Sequence, residues 1–222
     1  MTIPESAGAH KKNNLISVAE LARLLQDAEP DSPVKLIDAS WYAPADDAEE
    51  EGPETSPLHD YMKERIPGAV FFDHDQISDF NSPLPQATPT AQRFATCVGE
   101  LGVSRTDRVV VYEGSAGYES APRAWFLFKL YGHPDVKVLE GGLPAWLEEG
   151  YEVERGQPSA PPKPAVYEGA AEEPGMQIDV SQVVDNLRLQ RVQVVDCRRP
   201  SFFSGEKKES LFNVVNEGRV KY

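Results

Sequence analysis

Short β-branched runs alternate with stretches of helical period along the first 150 residues, and this alternation narrows the possible folds more than any other feature. "VKLIDAS" (34–40), "AVFFD" (69–73), "RVVVY" (108–112) and "VKVLE" (136–140) each have the length and apolar content of a strand. Ser17 is placed to cap a helix through Gln26, with Glu20 three residues on to complete a capping box. "TPTAQRFATCVGELGV" (88–103) puts Phe94, Cys97, Val98 and Leu101 on one helical face and ends at Gly102. Residues 120–131, closed by Gly132, and "LPAWLEEG" (143–150) supply two more helices. Strands joined through helices require crossover connections, so the sheet is parallel and covered on both faces. The chain is expected to be α/β.

Charge then limits the partners. Thirty-six acids against 22 bases give a net charge of −14, and no basic run offsets it, Lys11-Lys12 and Lys207-Lys208 being only pairs. Such a surface repels phosphate backbones and anionic lipid, so neither nucleic acid nor a membrane is an expected partner. No apolar stretch approaches the roughly 20 residues needed to span a bilayer. The two cysteines, Cys97 and Cys197, make no disulfide framework, which suits a reducing compartment. Four scattered histidines give no metal-site spacing, and no cofactor motif is present. "MTIPESAGAHKKNN", read as a flexible N-terminus over residues 1–14, lacks the apolar core of a secretory leader. The expected location is cytoplasmic or mitochondrial.

Residues 155–176 change character, with four prolines from Pro158 to Pro164, and are expected to be a stiff linker. Beyond it the pattern starts again. "ISVAEL" (16–21) is echoed by "IDVSQV" (178–183), and "VKLIDAS" by "VQVVDCR" (192–198). Cap and strand-end Asp lie 21 residues apart in the first copy (Ser17, Asp38) and 17 in the second (Asp179, Asp196). The expected organisation is a first domain over 15–154, the linker, and an incomplete second copy over 177–222.

Three segments carry a family resemblance. "YMKERIPGAVFFD" resembles the [F/Y]-x-x-x-H-[I/V]-P-G-A segment of rhodanese-like domains, with Arg65 at the histidine position. "VLEGGLPAWLEEG" resembles their C-terminal Gly-Gly-Trp segment. "DASWY", "FFDHDQISD", "SPLP" and "APRAWFLFKLYGH" are similar to the first domain of tandem thiosulfate/3-mercaptopyruvate sulfurtransferases, and the similarity runs over about residues 15–209. The resemblance implies a five-stranded parallel sheet with helices on both faces, followed here by an incomplete second copy. It also implies transfer of sulfane sulfur from a small anionic donor, thiosulfate or 3-mercaptopyruvate, to cyanide or a thiol. The carrier is a cysteine persulfide on a strand–loop–helix turn, where helix N–H groups stabilise a sulfur anion.

The equivalent turn in the first copy, "YEGSAGYES", has Glu113 and Gly114 where that cysteine would stand, and the second copy ends before its own turn. The chain is therefore expected to be inactive alone, as a truncated or alternatively spliced product. The alternative is a non-catalytic rhodanese-like module that binds a partner, or a by-product of transcript processing.

Single residues were weighed on the same basis. By resemblance Arg198 clamps the donor's anionic group, as a planar guanidinium suits it to do. Asp75 faces the partner domain's loop, and Gln86 replaces the histidine of mercaptopyruvate-using members, tilting away from a mercaptopyruvate-type proton relay. Cys197, beside Arg198 and Arg199, is a minor candidate for a reactive thiol, because its equivalent in the first copy is Ala39. Cys97 is a core residue. Ser115 lacks the glycine at 113 that a nucleophile elbow needs, and the glycines lack the Lys-Ser/Thr of a phosphate loop. Neither cysteine has an arginine six residues on, which excludes a C-x5-R phosphatase. "PADDAEEEGPE" (44–54) is expected to be a solvated insert. Exposed surface left by the incomplete copy gives an expectation of self-association.

Overall fold

The computed structural model describes residues 14–27, 33–42, 56–115, 120–198 and 200–206. The acidic stretch 44–54, the loop tip 116–119, Arg199 and residues 207–222 lie outside the described residues.

Twelve elements are described. In chain order they are β1 (Leu15–Ile16), α1 (Val18–Gln26), β2 (Val34–Asp38), α2 (Pro57–Lys63), β3 (Val70–Phe71) and α3 (Ala91–Glu100). They continue with β4 (Arg108–Tyr112), α4 (Ala121–Leu130), β5 (Val136–Leu139), α5 (Gly142–Glu148), α6 (Val180–Leu189) and α7 (Pro200–Phe203). The sheet has five strands in the order β1-β5-β4-β2-β3, every pair parallel. Alternation along β4 explains the two layers. Val109 and Val111 face one side, where α3 and α4 lie; Val110 and Tyr112 face the other, where α1, α2 and α5 lie. The α/β expectation holds, with helices on both faces.

The capping box at α1 forms as expected: Ser17 Oγ accepts from the Glu20 N–H and the Glu20 carboxylate accepts from the Ser17 N–H. The edge strand β1 was not legible, since Leu15-Ile16 stand alone between Asn14 and the Ser17 cap, without the longer apolar run that marks β3. Residues 155–176, expected as a linker, contain no helix or strand, but they dock on α3 and α4. Tyr167 is buried beside Phe94 and His133, and Ala165 N–H donates to the Gly99 carbonyl at 2.8 Å. A Cβ on Gly99 would come within 2.7 Å of the Ala165 oxygen, so the glycine admits this chain.

Arg65 is fully buried. It bonds Glu154 at 2.6 Å and the Gly156 carbonyl at 2.6 Å, and its guanidinium lies 4.7 Å over the Tyr61 ring. In place of the family histidine, it fastens the chain that leaves the domain to helix α2.

The second copy behaves differently. Helix α6 forms, but residues 192–196, expected as a strand, form none and pair with nothing in the described sheet. Local caps suffice for a helix; a strand needs neighbours.

Candidate functional site

The turn between β4 and α4 sits at the carboxyl end of the sheet, where open α/β proteins place their ligands. A cleft of about 340 Å³ opens there, lined by Asp38, Trp41, Tyr42, Asp60, Glu113 and Ser115 among others. Its centre is the Glu113 carboxylate, which is buried. One oxygen accepts from Ser120 N–H (2.8 Å), Ala121 N–H (2.8 Å) and Ser120 Oγ (2.9 Å); the other accepts from Ser115 Oγ at 3.1 Å. Glu113 thus caps α4 from outside the helix, in place of Ser120 at the N-cap position, whose own side chain makes no cap bond. The seat that would stabilise an anion at this helix end is filled by the chain's own carboxylate.

A second network ties β2 to the same turn. Asp38, buried at the strand end, accepts from the Ser40 N–H at 3.0 Å and from Ser40 Oγ; Ser40 Oγ accepts from Gly114 N–H at 2.7 Å. Burial pushes the Asp38 carboxyl up, the Ser40 bonds oppose this, and the nearby Glu113 charge adds to the rise. Of the Gly-Gly pair after β5, Gly142 is the one that meets this turn. A Cβ on Gly142 would lie 2.5 Å from the Glu113 oxygen and 2.8 Å from that of Ser115, and the Leu143 N–H donates to the Glu113 carbonyl. With Asp38, Asp60, Glu64 and Glu113 against Lys63, the cleft disfavours a small anion.

Asp75 and Gln86 do meet. Gln86 Nε2 donates to Asp75 Oδ1 at 3.2 Å, while Arg123 donates to the Gln86 carbonyl and holds it at a left-handed φ of 51°. Beside them His74 is buried, donates from Nε2 to the Ala39 carbonyl at 2.9 Å, and is pushed down to about 4 by burial. The His74 imidazole is therefore neutral near pH 7.

Arg198 lies elsewhere, on the exposed 191–198 stretch, where its guanidinium grips Asp196 at 2.6 Å and holds that carboxyl down to about 2. No described ion pair joins it to Asp75. Cys197 is exposed, and Cys97 is half-buried on α3 with its thiol pushed up by burial. Trp146 is core, and Trp41 lines the cleft rather than the core. Among the described residues, no cluster of three His, Cys, Asp or Glu is arranged for a metal, and no helix is long and apolar enough to cross a membrane.

The sequence pointed to Glu113 and Gly114, but not to Ser40, Ser120 or Arg123. The "DAS" and "SAP" triplets were their signals: an Asp two residues before Ser reads as an Asx turn, and Ser two residues before Pro reads as a helix start.

Comparison with known proteins agrees with this architecture. The rhodanese-like domain family matches residues 17–149. The chain is 37% identical over 198 residues to rat 3-mercaptopyruvate sulfurtransferase, covering 88% of this chain and 63% of that protein. It is 33% identical over 208 residues to thiosulfate sulfurtransferase of Cricetulus griseus, covering 93% and 66%. The chain therefore spans just under two thirds of the length of these relatives. Among solved structures, the 3-mercaptopyruvate sulfotransferase SseA of Escherichia coli aligns with a TM-score of 0.74 at 29% identity, over 88% of this chain and 69% of SseA. Tum1 of Saccharomyces cerevisiae aligns at 0.76 and 27% identity, over 89% of this chain and 64% of Tum1. With the parallel sheet, the filled β4–α4 turn and the Gly-Gly contact already in place, the chain belongs to the rhodanese-like domain family.

Proposed function

We propose that the protein serves sulfane-sulfur transfer and that residues 17–175 form its non-catalytic rhodanese-like unit. The donor would be thiosulfate or 3-mercaptopyruvate, as the names of the relatives suggest. In the reaction a thiolate takes the outer sulfur of thiosulfate, releasing sulfite and leaving a persulfide; cyanide or a thiol then takes that sulfur and restores the thiolate. The Glu113 carboxylate carries the assignment of roles: it already occupies the anion seat of the first unit's turn. The persulfide must then sit on the turn of a second unit, of which residues 178–198 are the opening elements. In such a site Arg198 would hold the donor's anionic end and the Asp75–Gln86 pair would face the reacting sulfur.

Cys197 does not fit the thiol's role. Its counterpart Ala39 is a fully buried packing residue just past the end of β2. In this assignment neither Cys97 nor Cys197 carries the persulfide. A reducing compartment, cytoplasmic or mitochondrial, suits the two free cysteines. A second role is favoured by the same carboxylate: with its anion seat filled and its rim acidic, the first unit's cleft suits partner binding better than catalysis.

A thiosulfate:cyanide sulfurtransferase assay on the 222-residue chain, with Cys197→Ser as control, tests this assignment. Thiocyanate production at the uncatalysed rate is expected from both. Turnover that Cys197→Ser abolishes would overturn the assignment of roles.

A further inference from the structure

Residues 157–176 run as a strap past the carboxyl ends of α3 and α4, and one side chain anchors it. Tyr167 alone is buried between residues 155 and 176. Its ring stands edge-on to Phe94 at 5.6 Å and stacks on the His133 imidazole at 5.8 Å. Backbone bonds flank this anchor. Ala165 N–H donates to the Gly99 carbonyl at 2.8 Å and Glu173 N–H to the Leu130 carbonyl at 2.7 Å, while Arg105 donates to the Gly169 carbonyl. The pairing under the anchor is fixed by chemistry. His133 Nε2 lies 3.0 Å from the Asp107 carbonyl, which can only accept, so Nε2 carries the proton and Nδ1 of the neutral ring is a bare acceptor. Nδ1 lies 3.0 Å from the Tyr167 hydroxyl, and no other acceptor for that O–H is described.

We propose that the His133–Tyr167 pair is a proton-released latch: protonation of His133 frees residues 165–173 from α3 and α4 while the sheet stays folded. A proton on Nδ1 makes both ring nitrogens donors. The Tyr167 hydroxyl must then turn to accept, and its own hydrogen loses its acceptor although both side chains are buried. The ring also gains a charge that stays desolvated for as long as Tyr167 covers it. Undocking relieves both, because it opens the imidazole to water. The charged groups round the ring do not reverse this balance. Asp107 and Arg105 face it from the turn before β4, Asp135 from the turn before β5, and Glu173 of the strap lies beside Gly132. Burial is the largest influence and pushes the imidazole below its ordinary 6.5; the bond to Asp107 and the charges of Asp107 and Asp135 pull it back, and Arg105 adds to the fall. With the strap undocked His133 takes its proton near 6.5, whereas docked it does so only at lower pH. The undocked state therefore holds the extra proton, and docking weakens as pH falls below 6.5.

The latch is independent of the sulfur-transfer assignment, and the two can fail separately. Hydrogen exchange on the 222-residue chain, from about pH 7.5 to about pH 5 and corrected for the intrinsic pH dependence of exchange, is the test. Protection of the Ala165 and Glu173 amides should fall about tenfold or more over this range, with the β4 amides of residues 109–111 still protected. The His133 ring, followed by its imidazole nitrogen shifts, should titrate over the same interval. His133→Gln should abolish the pH response of the strap, and His74→Gln should keep it. Tyr167→Phe retains the ring and loses the bond, so it should lower strap protection already at neutral pH. Strap protection that does not change with pH would overturn the proposal. So would a response that survives His133→Gln, one that precedes any titration of His133, or strap exchange no faster than that of β4, since the opening would then be global.

Discussion

Residues 16–40 and 178–198 carry the same local signals and have opposite fates. Both open with a capping box, Ser17 with Glu20 and Asp179 with Gln182. Both close with an Asp that accepts from the N–H two residues on, at 3.0 Å in Asp38–Ser40 and 2.9 Å in Asp196–Arg198. Yet Leu36 and Ile37 are 3% and 0% exposed, whereas their counterparts Val194 and Val195 are 66% and 76% exposed. Caps and Asx turns need only the residues that make them. A strand needs bonding partners on its edges and packed helices on its faces, and the first copy obtains these from β3, β4 and both helix layers.

The sharpest way to break that comparison is to truncate matched side chains. Ile37→Ala should cost about 2–5 kcal/mol in urea unfolding, while Val194→Ala should stay within about 0.5 kcal/mol. Equal costs would mean that the second copy is packed after all. Arg65→Ala comes next. It removes the clasp on Glu154 and Gly156 from a buried site, and should lower stability by about 2–4 kcal/mol, discounted for the part-exposed Glu154. No counterpart of this clasp is described in the second copy.

Acid sensitivity should be confined to the first unit. The unfolded chain protonates His74 near 6.5, whereas in the fold this happens only at about 4. Between those values the unfolded state holds the extra proton, so His74 lowers stability progressively as pH falls from about 6.5 to 4, by about 2–3 kcal/mol at the acid end. Asp38, whose carboxyl is raised by burial, acts in the opposite sense, so the comparison must be made against His74→Gln with Asp38 intact. A slope over this pH range that is unchanged in His74→Gln would remove His74 from the account.

The smallest effect separates local from global order. Ser17→Ala should cost about 1 kcal/mol of global stability. Asp179→Ala should reduce helical circular dichroism slightly and leave the unfolding midpoint in place. Limited proteolysis completes the picture, with a stable fragment expected to end near Gly175. One ending near residue 155 would show that the docking of Tyr167 and Ala165 does not hold in solution.

Which parts of this were legible in the sequence follows the same division. Strands β2 to β5, the capping box at Ser17 and the helix after Asp179 could be read because their signals are local. The pairing of β1 with β5, the burial of Arg65 and the docking of 155–176 could not, because each depends on a surface supplied by distant residues. The Gly-Gly pair before Leu143 was visible, but the reason for Gly142, the approach of the Glu113 and Ser115 carbonyls, is a tertiary fact. At the site, the missing thiol at 113 was legible as an absence. That the glutamate fills the helix end, bonding Ser120 and Ala121, was not.

That filled seat is the centre of the account, and persulfide trapping tests it most directly. The chain is incubated with thiosulfate, its thiols are alkylated, and the peptides holding Cys97 and Cys197 are weighed by mass spectrometry. The account predicts no added sulfur atom on either peptide and no sulfite released above the blank. A persulfide on Cys197, formed with one sulfite per chain and discharged by cyanide, would contradict it.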